Sequence, residues 1–193
     1  MRVIGGIWKG RRLTAPPGQV IRPTTDRVKE ALFNILGPAL AGTVFVDLCC
    51  GAGGLGIEAL SRGAARVVFV DAHQGALSAV RKNLAACDAA AAPAEFVRAD
   101  ALAWLGRWEP PAAGAAWIAV ADPPYAGELA QGIMAQLESL AHRPGFIAGI
   151  VEHGRATPAV RDRQDGGPWE HRRYGESILA ILRSGPATNP GKE

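Results

Sequence analysis

No apolar run in the chain approaches the roughly 18 residues that a membrane-spanning helix requires. The start, MRVIGGIWKG, also lacks the apolar stretch of a secretory signal. Cysteine is scarce: Cys49, Cys50 and Cys87 make an odd set without paired metal-ligand spacing, so neither a disulfide framework nor a metal is expected. They read as reduced, small core residues, which points to a cytoplasmic protein. The composition of a disordered chain is missing too, and 193 residues suffice for one domain with a sizeable core. Only the tail, 186–193, is expected to be disordered.

Acid is nearly absent from the first stretch. Met1 to Lys29 holds seven basic residues (Arg2, Lys9, Arg11, Arg12, Arg22, Arg27, Lys29) against one acid, Asp26. That arm carries +6 while the whole chain carries +3, so the remainder sums to −3. A basic arm on a mildly acidic body suits a polyanionic partner. Lys9, Arg11, Arg12, Arg22 and Arg27 are the candidate contacts to that partner.

From Thr43 onward, apolar β-type runs alternate with helix-type segments. Strands are expected at 43–50, 65–71, 94–100, 115–122 and 145–153, with helices at 55–63, 73–86, 101–108 and 128–140. The rhythm then changes. WEHRRYGE and SILAILRS leave no room for a helix between them and should pair as an antiparallel hairpin. The expected fold is α/β: a Rossmann-like, seven-stranded, mostly parallel sheet with one antiparallel strand and helices on both faces. Before it, residues 1–40 form a basic extension made of a small hairpin and a helix, capped by Thr24 or Thr25. Residues 41–185 form the catalytic domain.

Ligands of such sheets bind beyond the carboxyl ends of the strands. Four expected strand ends carry an acid: Asp47, Asp71, Asp100 and Asp122. The turn DLCCGAGGLG places Gly51, Gly53 and Gly56 between strand and helix, in the spacing of a nucleotide-binding loop. A carboxylate at Asp47 repels a pyrophosphate and attracts a cation, which favours S-adenosylmethionine over a dinucleotide. Asp71 is placed to hold ribose hydroxyls, and Asp100 to accept from the adenine amine. Cys49, Ala72 and Ala101 complete the candidate cofactor set.

The fourth strand ends in Asp122-Pro123-Pro124-Tyr125. The prolines cannot continue a sheet, so the strand must stop there. This stretch resembles the Asp/Asn-Pro-Pro-aromatic motif of amino-group methyltransferases. Asp122 and the Pro123 carbonyl would accept hydrogen bonds from a purine's exocyclic amine, and Tyr125 would stack on the base. The prolines fix the backbone that presents that carbonyl, so all four are candidate catalytic residues.

RVIGGIWKGRRL, RPTTDRVKEALFNIL, GLGIEALSRGA, DPPY and HRRYGESILAIL together resemble the RsmD family of 16S rRNA guanine-N2 methyltransferases. The resemblance implies an S-adenosylmethionine-dependent enzyme that acts on one guanine within a 30S subunit or its assembly intermediate, usually as a monomer. LCCGAGG departs from it, with cysteines where relatives often carry Phe-Ala. A DNA adenine or cytosine amino methyltransferase shares the two core motifs, but no gap between elements accommodates a separate recognition region. A protein-glutamine methyltransferase normally has Asn at position 122. A non-catalytic RNA-binding ribosome-assembly factor with this fold is the alternative from another class.

Overall fold

A computed structural model describes residues 1–15, 25–111, 114–124, 127–154 and 167–184. Arg22, Tyr125 and the tail fall outside these ranges.

The sheet is built from β1 (Val44–Leu48), β2 (Arg66–Asp71), β3 (Ala94–Arg98), β4 (Trp117–Ala121), β5 (Phe146–Gly154), β6 (Trp169–Tyr174) and β7 (Ser177–Arg183). Their order is β3-β2-β1-β4-β5-β7-β6. The first five run parallel, and β7 opposes both β5 and β6. The expected sheet is therefore the observed one, and β7 is the strand that opposes the rest. The central strands are continuous apolar runs because helices cover both faces: β4 is buried along its whole length. Strand order reverses between β1 and β4, and the carboxyl edge at such a reversal is where sheets of this kind form their ligand crevice.

One face packs on α1 (Asp26–Leu36), α2 (Gly54–Ser61) and α3 (Gln74–Ala86), the other on α4 (Ala101–Leu105) and α5 (Gly127–Leu140). Helix α3 buries Leu77, Val80 and Leu84, as its periodicity requires. Helix α4 ends three residues earlier than expected: Gly106 closes it, and Trp108 turns back to lie 5.5 Å from the Trp104 ring and 5.0 Å from Trp117. Thr25 caps α1, its Oγ1 accepting from the Val28 N–H at 3.3 Å.

Val3 and Leu13 of the extension, together with Val28, Leu32 and Phe33 of α1, belong to the same core as Phe45 and Ile118 of the sheet. The extension and the sheet thus share one hydrophobic core. The hairpin itself is slight, with one bridge, Arg2 to Arg12, and it lies along α2. At its far end Gly6 passes so close to the Ser61 backbone that any side chain there would collide, and a side chain at Gly5 would displace the Arg62 guanidinium. A buried ion pair locks the arrangement. Lys29 Nζ stands 3.3 Å from Glu58 and donates to the Arg2 carbonyl, while Glu58 also accepts from the Ile4 N–H and from Arg62 Nε, each at 2.8 Å. Burial holds the Lys29 ammonium below the usual lysine range despite Glu58. Lys29, one of the seven charges of the basic arm, is therefore an internal fastener, closed to any partner.

Candidate active site

Residues Leu48 to Gly54 form the turn that leaves β1. Cys49 takes a left-handed conformation (φ 58°), and Gly53 repeats it (φ 79°) as the residue before α2. Gly56 serves packing: a Cβ there would lie 2.3 Å from the Phe69 ring, so only glycine lets α2 settle on β2. Asp47 is 1% exposed and accepts from the Gly56 N–H at 2.9 Å, which fastens the start of α2 to the end of β1. Its carboxyl is pushed well above the usual range, chiefly by burial and then by nearby Asp122 and Asp71.

Asp71 braces the turn from the neighbouring strand. One oxygen accepts from the Gly51 N–H at 2.9 Å, the other from the His73 N–H at 2.8 Å. Asp100 is exposed and caps α4, accepting from the Ala103 N–H at 2.8 Å. Ala72 is exposed beside Asp71, and Ala101, the first residue of α4, is buried. Asp122 is half-buried, and its N–H reaches the Leu48 carbonyl at 3.4 Å, which ties the end of β4 to the end of β1. Pro123 is buried and Pro124 exposed.

The Cys49 thiol is pushed up to about 12, chiefly by burial and then by Asp71, Asp47, Asp122 and Asp100. Acids from four strand ends thus act on one side chain of the glycine turn, where a cationic ligand is favoured over an anion. Among the described residues there is no His, Cys, Asp and Glu grouping able to hold a metal ion.

A family model described as Conserved hypothetical protein 95 matches residues 1–183. The chain belongs to this family, the RsmD family. Bacillus subtilis YlbH, an rRNA methyltransferase by name, is 40% identical over 185 residues, covering 95% of this chain and 98% of that protein. Ribosomal RNA small subunit methyltransferase D of Escherichia coli is 35% identical over 148 residues, covering 77% of this chain and 70% of that one. Among solved structures, Escherichia coli yhhF, a methyltransferase by name, superposes with a TM-score of 0.72 at 30% identity, over 95% of this chain and 97% of that one. An RNA methyltransferase from Salinibacter ruber, solved with S-adenosyl-L-homocysteine, shares the fold at 16% identity with a TM-score of 0.59, over 88% of this chain and 97% of that one.

The basic arm divides. Arg11 is paired with Asp88, just beyond the last turn of α3, at 2.6 Å. Lys9 and Arg12 are exposed on the same hairpin. Arg27 is exposed in the first turn of α1, next to Asp26, which pairs with Arg2 at 2.9 Å.

Two buried polar residues beside the turn escaped sequence reasoning. Asn83 on α3 donates to the Ala52 carbonyl at 2.9 Å and to the Thr14 carbonyl at 3.0 Å, clamping the turn to the extension. Glu58 does the same for the hairpin. Each stands among apolar neighbours on a helix, and a lone polar residue on a buried face was the available signal.

Proposed function

We propose that this chain transfers a methyl group from S-adenosylmethionine to the exocyclic N2 amine of one guanine in 16S rRNA. It would act as a cytoplasmic monomer on the 30S subunit or its assembly intermediate. The observation that carries this reading is the position of Asp122-Pro123-Pro124: it leaves β4 at the reversal of strand order, next to a glycine turn ringed by acids. The names of the family relatives support rRNA as substrate, and the ligand of the Salinibacter ruber protein is the demethylated form of the cofactor.

The turn Cys49–Gly56 lies against the amino-acid end of the cofactor, where Asp47 and its neighbours favour the ammonium and sulfonium charges. Asp71 keeps lone pairs for the ribose hydroxyls, and Asp100 for the adenine amine, with Ala72 and Ala101 beside them. The N2 amine of guanine is a weak nucleophile because its lone pair is delocalised into the ring. The Asp122 carboxylate and the Pro123 carbonyl accept its two hydrogens, draw the nitrogen toward a tetrahedral shape and aim its lone pair at the methyl carbon. As the C–N bond forms and the S–C bond breaks, positive charge moves from sulfur to nitrogen, closer to Asp122. The alkylated nitrogen is acidic and gives up its proton without a strong base. Tyr125 stacks on the extruded base, while Lys9, Arg11, Arg12, Arg22 and Arg27 hold phosphates.

Unmodified 30S subunits, incubated with the protein and methyl-labelled cofactor, should acquire one methyl group on a guanine N2. Label on DNA or on protein instead, or on no substrate, would refute the assignment.

A further inference from the structure

The glycine turn is held from two sides. Toward the strand ends, Asp71 accepts from the Gly51 N–H and Asp47 from the Gly56 N–H, each at 2.9 Å. On the other side lies α3. A Cβ on Gly53 would come within 2.9 Å of Val80, and one helical turn further on Asn83 donates to the Ala52 carbonyl at 2.9 Å.

Both ends of the hairpin rest on the same turn. Met1 packs on Gly54, where a Cβ would lie 2.5 Å from its sulfur, and the Leu13 N–H donates to the Met1 carbonyl at 2.9 Å. Thr14, next along, closes on Asn83. Its N–H and hydroxyl donate to Asn83 Oδ1 at 2.9 and 3.1 Å, and its carbonyl accepts from Asn83 Nδ2 at 3.0 Å. Arg11 of the same hairpin strand reaches Asp88, just beyond the end of α3. Helix α3 thus touches both the turn and the basic arm.

Asn83 is 1% exposed, and these contacts fill its amide: both N–H bonds donate and the oxygen accepts twice. An apolar side chain would suffice to fill this place on the buried face of α3. The amide adds a connection between two backbones. It can release Ala52 only by leaving a buried donor unpaired, so a shift of the turn is followed by Thr14 rather than absorbed at Asn83.

We propose that Asn83 is a positioning residue that couples cofactor binding to rRNA binding, by making the order of the hairpin base depend on occupancy of the glycine turn. This rests on the methyltransferase reading above, which lays the cofactor against that turn and phosphates against the arm. A bound cofactor narrows the positions open to Gly51 and Ala52, and Asn83 imposes the same restriction on Thr14. The RNA then meets a hairpin whose base is already ordered, and its binding removes less conformational freedom. The coupling is reciprocal, so bound RNA tightens the hold on the cofactor by the same factor.

S-adenosyl-L-homocysteine has no methyl group to transfer, so both affinities can be measured with it in the absence of turnover. At saturation it should tighten 30S binding by the wild-type protein about tenfold. Asn83→Asp keeps an acceptor for Thr14 but turns a carboxylate oxygen toward the Ala52 and Thr14 carbonyls in place of Nδ2. That variant should bind 30S with nearly the same affinity whether or not S-adenosyl-L-homocysteine is present. An Asn83 that only supports the fold would weaken both affinities and leave their ratio as in the wild type. That result, or no tightening in the wild type, would overturn the proposal. NMR of the free wild-type protein needs neither RNA nor a substitution. S-adenosyl-L-homocysteine should shift the amide signals of Leu13 and Thr14 together with those of the turn. Turn signals that move while Thr14 stays fixed would sink the coupling alone, whereas a failure to bind at all would refute the methyltransferase reading and the coupling with it.

Discussion

Removing Glu58 should damage this protein more than removing its buried partner Lys29, and the bond inventory says why. Glu58→Ala leaves the Lys29 ammonium, 1% exposed, with only the Arg2 carbonyl, and strips the Ile4 N–H and Arg62 Nε of their acceptor. Breaking a buried pair in this way costs about 3–5 kcal/mol. Lys29→Met instead leaves Glu58 with two donors at 2.8 Å and orphans one carbonyl, so about 1–3 kcal/mol is expected. Met also fills the space of the lysine stem. Urea unfolding followed by circular dichroism measures both variants, and limited proteolysis of the first 15 residues reports whether the hairpin has come loose. Lys29→Met with Glu58→Leu should recover part of the Glu58→Ala loss, because no unpaired charge remains buried. If Lys29→Met proved as costly as Glu58→Ala, Glu58 would not be the hub that fastens the hairpin to α2.

Asp122→Ala should abolish methyl transfer while cofactor affinity stays within about threefold, whereas Asp122→Asn should retain measurable turnover because an amide oxygen still accepts from the amine; near wild-type turnover by the Ala variant would refute the catalytic role. Arg27→Ala should weaken 30S binding and reduce its salt slope by about one. Arg11→Ala should do so less, since Arg11 is already paired with Asp88, and the reverse order would relocate the RNA path. The Cys49 thiol, pushed up to about 12, should react with iodoacetamide at pH 8 about a thousandfold more slowly than an ordinary thiol, and fast labelling at Cys49 would mean that burial and the four acids do not hold its proton.

Sequence alone determined the layered architecture and the strand-end acids. Continuous apolar runs such as VFVDL and WIAVA can persist only where helices cover both faces, and a proline pair must end a strand, so these features are local and readable. The family resemblance came from the same linear motifs. What each acid does was decided by tertiary structure. Asp47 and Asp71 spend oxygens on the N–H groups of Gly56 and Gly51, nine and twenty residues away, because that backbone reaches them only after folding, whereas Asp100 makes a local cap three residues on. The basic arm reads as one cluster of charge, yet the structure buries Lys29, pairs Arg11 with Asp88 and leaves Arg27 exposed. Charge is a property of composition, whereas its availability depends on which side chain the packing places beside it. His153 and His171 are 18 positions apart with no motif between them; only the antiparallel return of β7 brings β6 back to the carboxyl edge and sets the two rings together.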